Sequence, residues 1–135
     1  MVRVLLAEVH SNLRAALHEH LVHGGEVVCS TADTSEEVWS RLRHEEWDVL
    51  ILDLRLPAQT KLATVRTLHE VYPELPILVI SFAKGIAPRH WQDAGASGFL
   101  SKAKLSTELT EAVRVVSRGG KYLFEDQDAR EDRPT

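Results

Sequence analysis

The stretch Val49-Leu50-Ile51-Leu52-Asp53-Leu54-Arg55-Leu56-Pro57 decides the fold. An unbroken apolar run leads into one carboxylate. Such a run is a strand buried on both faces, as in a parallel sheet covered by helices. An acid is costly inside that environment, so Asp53 belongs where the strand emerges, at its carboxyl end. Pro57 forbids further ladder pairing. In open α/β sheets, ligands bind outside the carboxyl ends of the strands, where strand order reverses. Asp53 is therefore the place to look for chemistry. The competing role for it is a cap on the loop after the strand.

Working outward, Val2 to Ala7 is a first apolar strand that runs into Glu8-Val9-His10. Ser11 is placed to cap a helix starting at Asn12. Leu13, Leu17 and Leu21, with Ala16 beside them, give that helix an apolar face, and Gly24-Gly25 ends it with a left-handed terminator. Val27 and Val28 centre a second strand over Glu26 to Ser30. Thr34-Ser35-Glu36-Glu37 is a capping box, and its helix turns Val38 and Leu42 inward and ends near His44. The opening stretch is the third strand, Val49 to Leu52. Leu62, Val65, Leu68 and Tyr72 mark the next helix, and Pro73 and Pro76 bracket the turn after it.

Ile77 to Ile80 is another buried strand and ends in Ser81. Gly85 and Pro88 punctuate a loop, with Pro88 suited to a first helical position. A short helix reaches Ala94. Gly98-Phe99-Leu100 is a brief strand, followed by Ser101-Lys102. The last helix spans about Ser106 to Arg118 on Leu109, Ala112, Val113 and Val116, and Gly119-Gly120 closes it. Strands and helices thus alternate, predicting an α/β fold: a doubly wound parallel sheet with five strands and helices on both faces. Residues 124–135 are nearly all polar or charged, the composition of a disordered tail or linker, which leaves 1–123 as one domain.

Composition narrows the function. The 135 residues are 44% apolar and 27% charged, with 16 basic against 20 acidic side chains and a net charge of -4. That balance argues against direct nucleic-acid binding by this chain, since phosphate contacts need clustered Lys and Arg. No apolar run has membrane-spanning length, and the N-terminal residues lack a signal-peptide layout. The lone Cys29 excludes an internal disulfide and fits a reducing, cytoplasmic setting. No glycine-rich phosphate loop is present, which sets aside nucleotide binding. The histidines lack the spacing of a metal site, so solvated positions are expected for them. Trp39 and Trp47 are packing residues by default, and Trp91 is either core or partner surface.

All strands of a parallel sheet end on one edge. Here that edge collects Glu8, Asp53, Ser81 and Lys102. Asp-Leu-Arg-Leu-Pro at 53–57, Ile-Leu-Val-Ile-Ser at 77–81 and Ala-Gly-Ala-Ser-Gly-Phe-Leu-Ser-Lys at 94–102 resemble the receiver domain of two-component response regulators. The last piece, with Gly-Gly-Lys-Tyr-Leu at 119–123, is most similar to receivers of the NarL/FixJ group. The resemblance implies a flavodoxin-like sheet of order 2-1-3-4-5.

It also implies roles. Asp53 would accept a phosphoryl group from a histidine kinase or phosphotransfer protein. Ser81 would hydrogen-bond the attached phosphoryl oxygens, Lys102 would pair with Asp53 and then with the phosphoryl group, and the rotamer of Phe99 would report the state. Glu8, Asp53 and the backbone carbonyl of Arg55 would bind Mg²⁺. The implied protein is a switch rather than an enzyme, at most catalysing its own phosphorylation and dephosphorylation. It would act on an output domain or protein partner, in transcriptional regulation, and a homodimer is compatible with it.

Two positions depart from the pattern. The family has two acids after the first strand, and here they are Glu8-Val9. Val9 cannot ligate a metal, so the implied Mg²⁺ site is weak or absent. Lys61 stands where the family commonly has glycine, so its backbone is expected to avoid the left-handed region. The alternative function is therefore a phosphorylation-independent receiver, a module for protein interaction or dimerisation.

Overall fold

The computed structural model describes residues 1–53, 56–81 and 86–123. Arg55 with its carbonyl, Gly85 and the polar tail 124–135 lie outside the described residues. The strands are β1 (Val2–Glu8), β2 (Val27–Ala32), β3 (Val49–Asp53), β4 (Ile77–Ser81), β5 (Gly98–Ser101) and β6 (Tyr122–Leu123). The helices are α1 (Ser11–Val22), α2 (Ser35–His44), α3 (Ala58–Val71), α4 (Pro88–Asp93) and α5 (Leu105–Ser117), with a 3-10 turn at Lys102–Lys104 before α5. One parallel sheet runs β2-β1-β3-β4-β5-β6. The order reverses at β1, which is flanked by β2 and β3.

Both faces of the central strands are covered, which is why their sequence does not alternate. Val4, Leu6, Ile51 and Ile80 pack with Leu17 and Leu21 of α1 and with Leu109, Val113 and Val116 of α5. Leu5, Ala7, Leu50, Leu52 and Val79 pack on the other face with Val38 and Leu42 of α2, Val65 and Leu68 of α3 and Trp91 of α4. Each fully buried aliphatic side chain contributes about 1.5–3 kcal/mol. Trp91 is 1% exposed and stacks on Phe99, which makes it core.

The sheet has six strands where five were expected. The added β6 pairs Gly98 with Tyr122 and Phe99 with Leu123. The Tyr122 N–H donates to the Ser97 carbonyl at 2.9 Å, and its phenol donates to Glu108 of α5 at 2.9 Å. A side chain at Gly98 would come within 3.1 Å of the Tyr122 carbonyl oxygen, so glycine permits this approach. The sequence Lys121-Tyr122-Leu123 is too short for any periodicity to reveal it.

Smaller differences have local causes. Helix α1 starts at Ser11 because the His10 carbonyl already accepts from the Arg14 N–H at 2.8 Å. Its apolar face is narrower than expected: Ala16 is exposed while Leu17 and Leu21 are buried. Strand β2 extends to Ala32 because Thr31 and Ala32 continue the register with Leu6 and Ala7. The capping box of α2 forms, with Thr34 accepting from the Glu37 N–H at 3.1 Å. The Glu37 carboxylate reaches back to the N–H of Asp33 rather than that of Thr34. Gly25 ends the α1 segment with φ +78°, the left-handed terminator expected there.

Candidate functional site

Glu8 and Asp53 close β1 and β3 as register partners. They flank the reversal of strand order on the carboxyl edge of the sheet. Their side chains are buried, Glu8 fully. Ser81 closes β4 and is buried as well. It pairs in register with Ser101, the residue before Lys102. The Lys102 ammonium forms an ion pair with Asp53 Oδ2 and lies 3.5 Å from Glu8 Oε1. The structure thus brings Glu8, Asp53 and Lys102 into one cluster, with Ser81 on the same edge. Leu105 and Leu109, buried in the next turns, anchor the segment that carries Lys102.

The loop after β1 is held by Glu8 itself. The His10 N–H donates to Glu8 Oε2 at 3.2 Å, and Arg14 Nη1 donates to the Glu8 carbonyl at 2.9 Å. Burial pushes the Glu8 carboxyl above the ordinary carboxylate range, and the neighbouring Asp53 adds to that. The His10 N–H and Lys102 oppose the shift. Val9 turns its isopropyl group to the apolar cluster of Leu5, Ala7 and Leu52.

Lys61 stands out in the sequence only as a departure from glycine, and its contact with Asp53 is not foreseen there. Its backbone is helical, as expected for a position that avoids the left-handed region. Its side chain is only 9% exposed, and its ammonium lies 3.7 Å from Asp53 Oδ1. Each oxygen of Asp53 therefore faces a different ammonium. A cation in the first turn of a helix opposes the helix dipole, so its buried position is explained by Asp53 and not by the helix. The signal was present in the spacing. Lys61, Val65 and Leu68 fall at i, i+4, i+7 on the buried stripe, while Leu62 is only partly buried.

The residues present do not fit the Mg²⁺ implied by the resemblance. That ion takes near-octahedral oxygen ligands at about 2.0–2.1 Å, usually one or two carboxylates plus waters. Here two carboxylates already face two ammoniums, and Val9 offers no donor. The third expected ligand, the Arg55 carbonyl, is outside the described residues.

Phe99 lies in β5, and its ring stacks on Trp91 with centroids 6.2 Å apart and planes 10° apart. A cavity of about 520 Å³ near Trp47, Asp48 and Leu75 is at the opposite, amino edge of the sheet and touches none of these residues. No helix among the described residues is long and apolar enough to cross a membrane.

The chain is similar to known proteins. The response regulator GacA of Pseudomonas viridiflava is 27% identical over 125 residues, covering 91% of this chain and 58% of that protein. The transcriptional activator protein ExaE of Pseudomonas putida is 34% identical over 122 residues, covering 89% of this chain and 57% of that protein. The chain spans a little over half the length of these relatives. Among solved structures, the isolated REC domain of RcsB from Salmonella enterica serovar Typhimurium in the apo form superposes with a TM-score of 0.83 at 19% identity, covering 98% of this chain and 100% of that one. A LuxR-family two-component response regulator from Aurantimonas sp. SI85-9A1 gives 0.83 at 21% identity, covering 98% of each chain. These structures share the fold. The profile of the response regulator receiver domain matches residues 4–114, and with it the chain belongs to the receiver domains of two-component response regulators.

Proposed function

We propose that this receiver, residues 1–123, is a phosphoaccepting switch of two-component signalling in the cytoplasm, with Asp53 as the acceptor. The observation that carries the reading is Asp53 at the mouth of β3, beside the sheet's switch point and paired with Lys102. A histidine kinase or phosphotransfer protein supplies the phosphoryl group. One Asp53 oxygen attacks phosphorus, the new O–P bond forms as the P–N bond to the donor imidazole breaks, and the leaving nitrogen keeps the electron pair and takes up a proton. Such transfer depends on positioning and charge neutralisation more than on covalent help from the protein. Lys102 supplies charge, and Ser81 supplies a hydroxyl for the transferred oxygens. Phe99 and Trp91 carry the change toward the α4–β5–α5 face and on to an output domain or protein partner. The relatives named as response regulators and a transcriptional activator support a transcriptional output.

Incubation with a small phosphodonor, with and without Mg²⁺, followed by intact mass, tests this. The wild-type chain is expected to gain one phosphoryl group and Asp53→Ala none. A gain by the mutant, or none by the wild type, overturns the assignment. One observation favours a second reading, a phosphorylation-independent receiver acting through protein interaction: both oxygens of Asp53 already face ammoniums. A wild-type chain that stays unlabelled supports that reading.

A further inference from the structure

We infer that Lys61 takes the place of the divalent cation, so that this receiver's acidic pocket is balanced from within and binds no Mg²⁺. The inference rests on the receiver assignment of the pocket. It does not depend on whether Asp53 accepts a phosphoryl group.

Two departures from the family pattern point the same way. Val9 removes a carboxylate, and Lys61 adds an ammonium. With both changes, Glu8 and Asp53 carry two negative charges and Lys61 and Lys102 two positive ones. Among the described residues these four charges sum to zero when all are ionised and the His10 ring, 3.6 Å from Glu8 Oε2, is neutral. With an acid at position 9 and no cation at position 61, three carboxylates would face one ammonium, and the deficit of two charges is what a dication satisfies. Either change alone would leave the pocket unbalanced by one charge.

The geometry agrees. Pro57 sits just before the first residue of α3, and the Lys61 N–H donates to its carbonyl at 2.9 Å, which fixes Lys61 one turn into the helix. From there the side chain runs inward, 9% exposed, to Asp53 Oδ1 at 3.7 Å. Lys102 occupies Oδ2 and approaches Glu8. An arriving dication would have to displace a buried ammonium and share the site with another. Its repulsion from both is weakly screened, because the groups are buried. Lys61 is also a tethered cation, so its occupancy of the pocket is independent of the ion concentration.

The test is a Mg²⁺ titration of the full chain, followed by calorimetry and by amide NMR shifts of residues near Asp53. The variants are Val9→Asp, Lys61→Met and the double mutant. Methionine keeps the aliphatic stem of Lys61 and removes its charge. The wild type is expected to show no saturable binding and no shifts local to Asp53. The double mutant is expected to bind Mg²⁺ saturably, at least about tenfold tighter than either single mutant, and to gain thermal stability on adding the ion. Saturable binding by the wild type with shifts at Asp53 and Lys61 overturns the inference, whatever the variants do. Equal affinities in Val9→Asp and the double mutant also overturn it, because Lys61 would then not be what excludes the ion. Phosphoryl labelling does not enter these readouts, so a failure to label Asp53 leaves the inference standing.

Discussion

Glu8 and Asp53 end adjacent strands in register, and one ammonium, that of Lys102, serves both carboxylates. A buried carboxyl beside a second acid holds its proton more tightly. The effect is visible at Glu8, held above its ordinary 4.5 first by burial and then by Asp53. The folded chain therefore binds this proton more tightly than the unfolded chain does. Stability contributed by Glu8 is greatest when it is protonated, and it falls as pH rises from about 4.5 through the raised folded value. Glu8→Gln should lack that fall. Urea unfolding of both proteins across the acid range checks it, and parallel stability curves would contradict it.

Lys102 should be costly to remove. Lys102→Met leaves two adjacent buried carboxylates, with Lys61 beside Asp53 alone. Breaking a buried ion pair in this way costs about 3–5 kcal/mol. Adding Glu8→Gln to the same chain removes one uncompensated charge and should restore much of the loss. Chemical denaturation at neutral pH gives both numbers. A loss under about 1 kcal/mol, the range of exposed pairs, would mean that the pocket is better solvated than its burial indicates.

Much of this architecture is legible in the sequence because its signals are redundant. Non-alternating runs at 49–52 and 77–80 demand cover on both faces, and parallel strands then bring Glu8, Asp53, Ser81 and Lys102 to one edge. What escaped was carried by single residues. Strand β6 depends on the close approach of Tyr122 to Gly98, a contact remote in sequence. Lys61 escaped because a lysine on a helix is ordinarily taken as solvated. Its place on the stripe with Val65 and Leu68 outweighs that habit, since a charged residue on a buried stripe needs a partner of opposite sign.

The stack of Phe99 on Trp91 joins β5 to the buried side of α4. Phosphorylation of Asp53 can shift this pair only if contacts differ between the two states. The added phosphoryl oxygens provide the difference at Ser81 and Lys102. Amide and indole NMR signals of Phe99 and Trp91 should therefore move on treatment with a small phosphodonor. Shifts confined to the neighbourhood of Asp53 would disconnect the pocket from this face.

Cys29 lies in β2 with its thiol buried, and burial pushes its pKa to about 12. At pH 8 it stays protonated, and the thiol is a poor nucleophile in that form. Alkylation of the native chain should be slower than that of the urea-unfolded chain by orders of magnitude. Equal rates would show that β2 opens readily at the edge of the sheet.

Tyr122 is the fastening of β6. Its phenol is largely buried and donates to Glu108 of α5 at 2.9 Å, and its N–H donates to Ser97. A hydrogen bond to a charged acceptor contributes about 1.5–3 kcal/mol. Tyr122→Phe keeps the ring on Val116 and its neighbours in the core and removes the hydroxyl that makes this bond. It should cost stability within that range, and Glu108→Gln somewhat less, because the amide still accepts. Both changes together should cost less than their sum, since they break the same contact. Urea denaturation of the two single mutants and the double mutant measures the coupling. Faster amide exchange at Tyr122 in Tyr122→Phe, with β4 unaffected, would locate the loss at β6. Additive costs would instead mean that Tyr122 holds the sixth strand by ring packing alone.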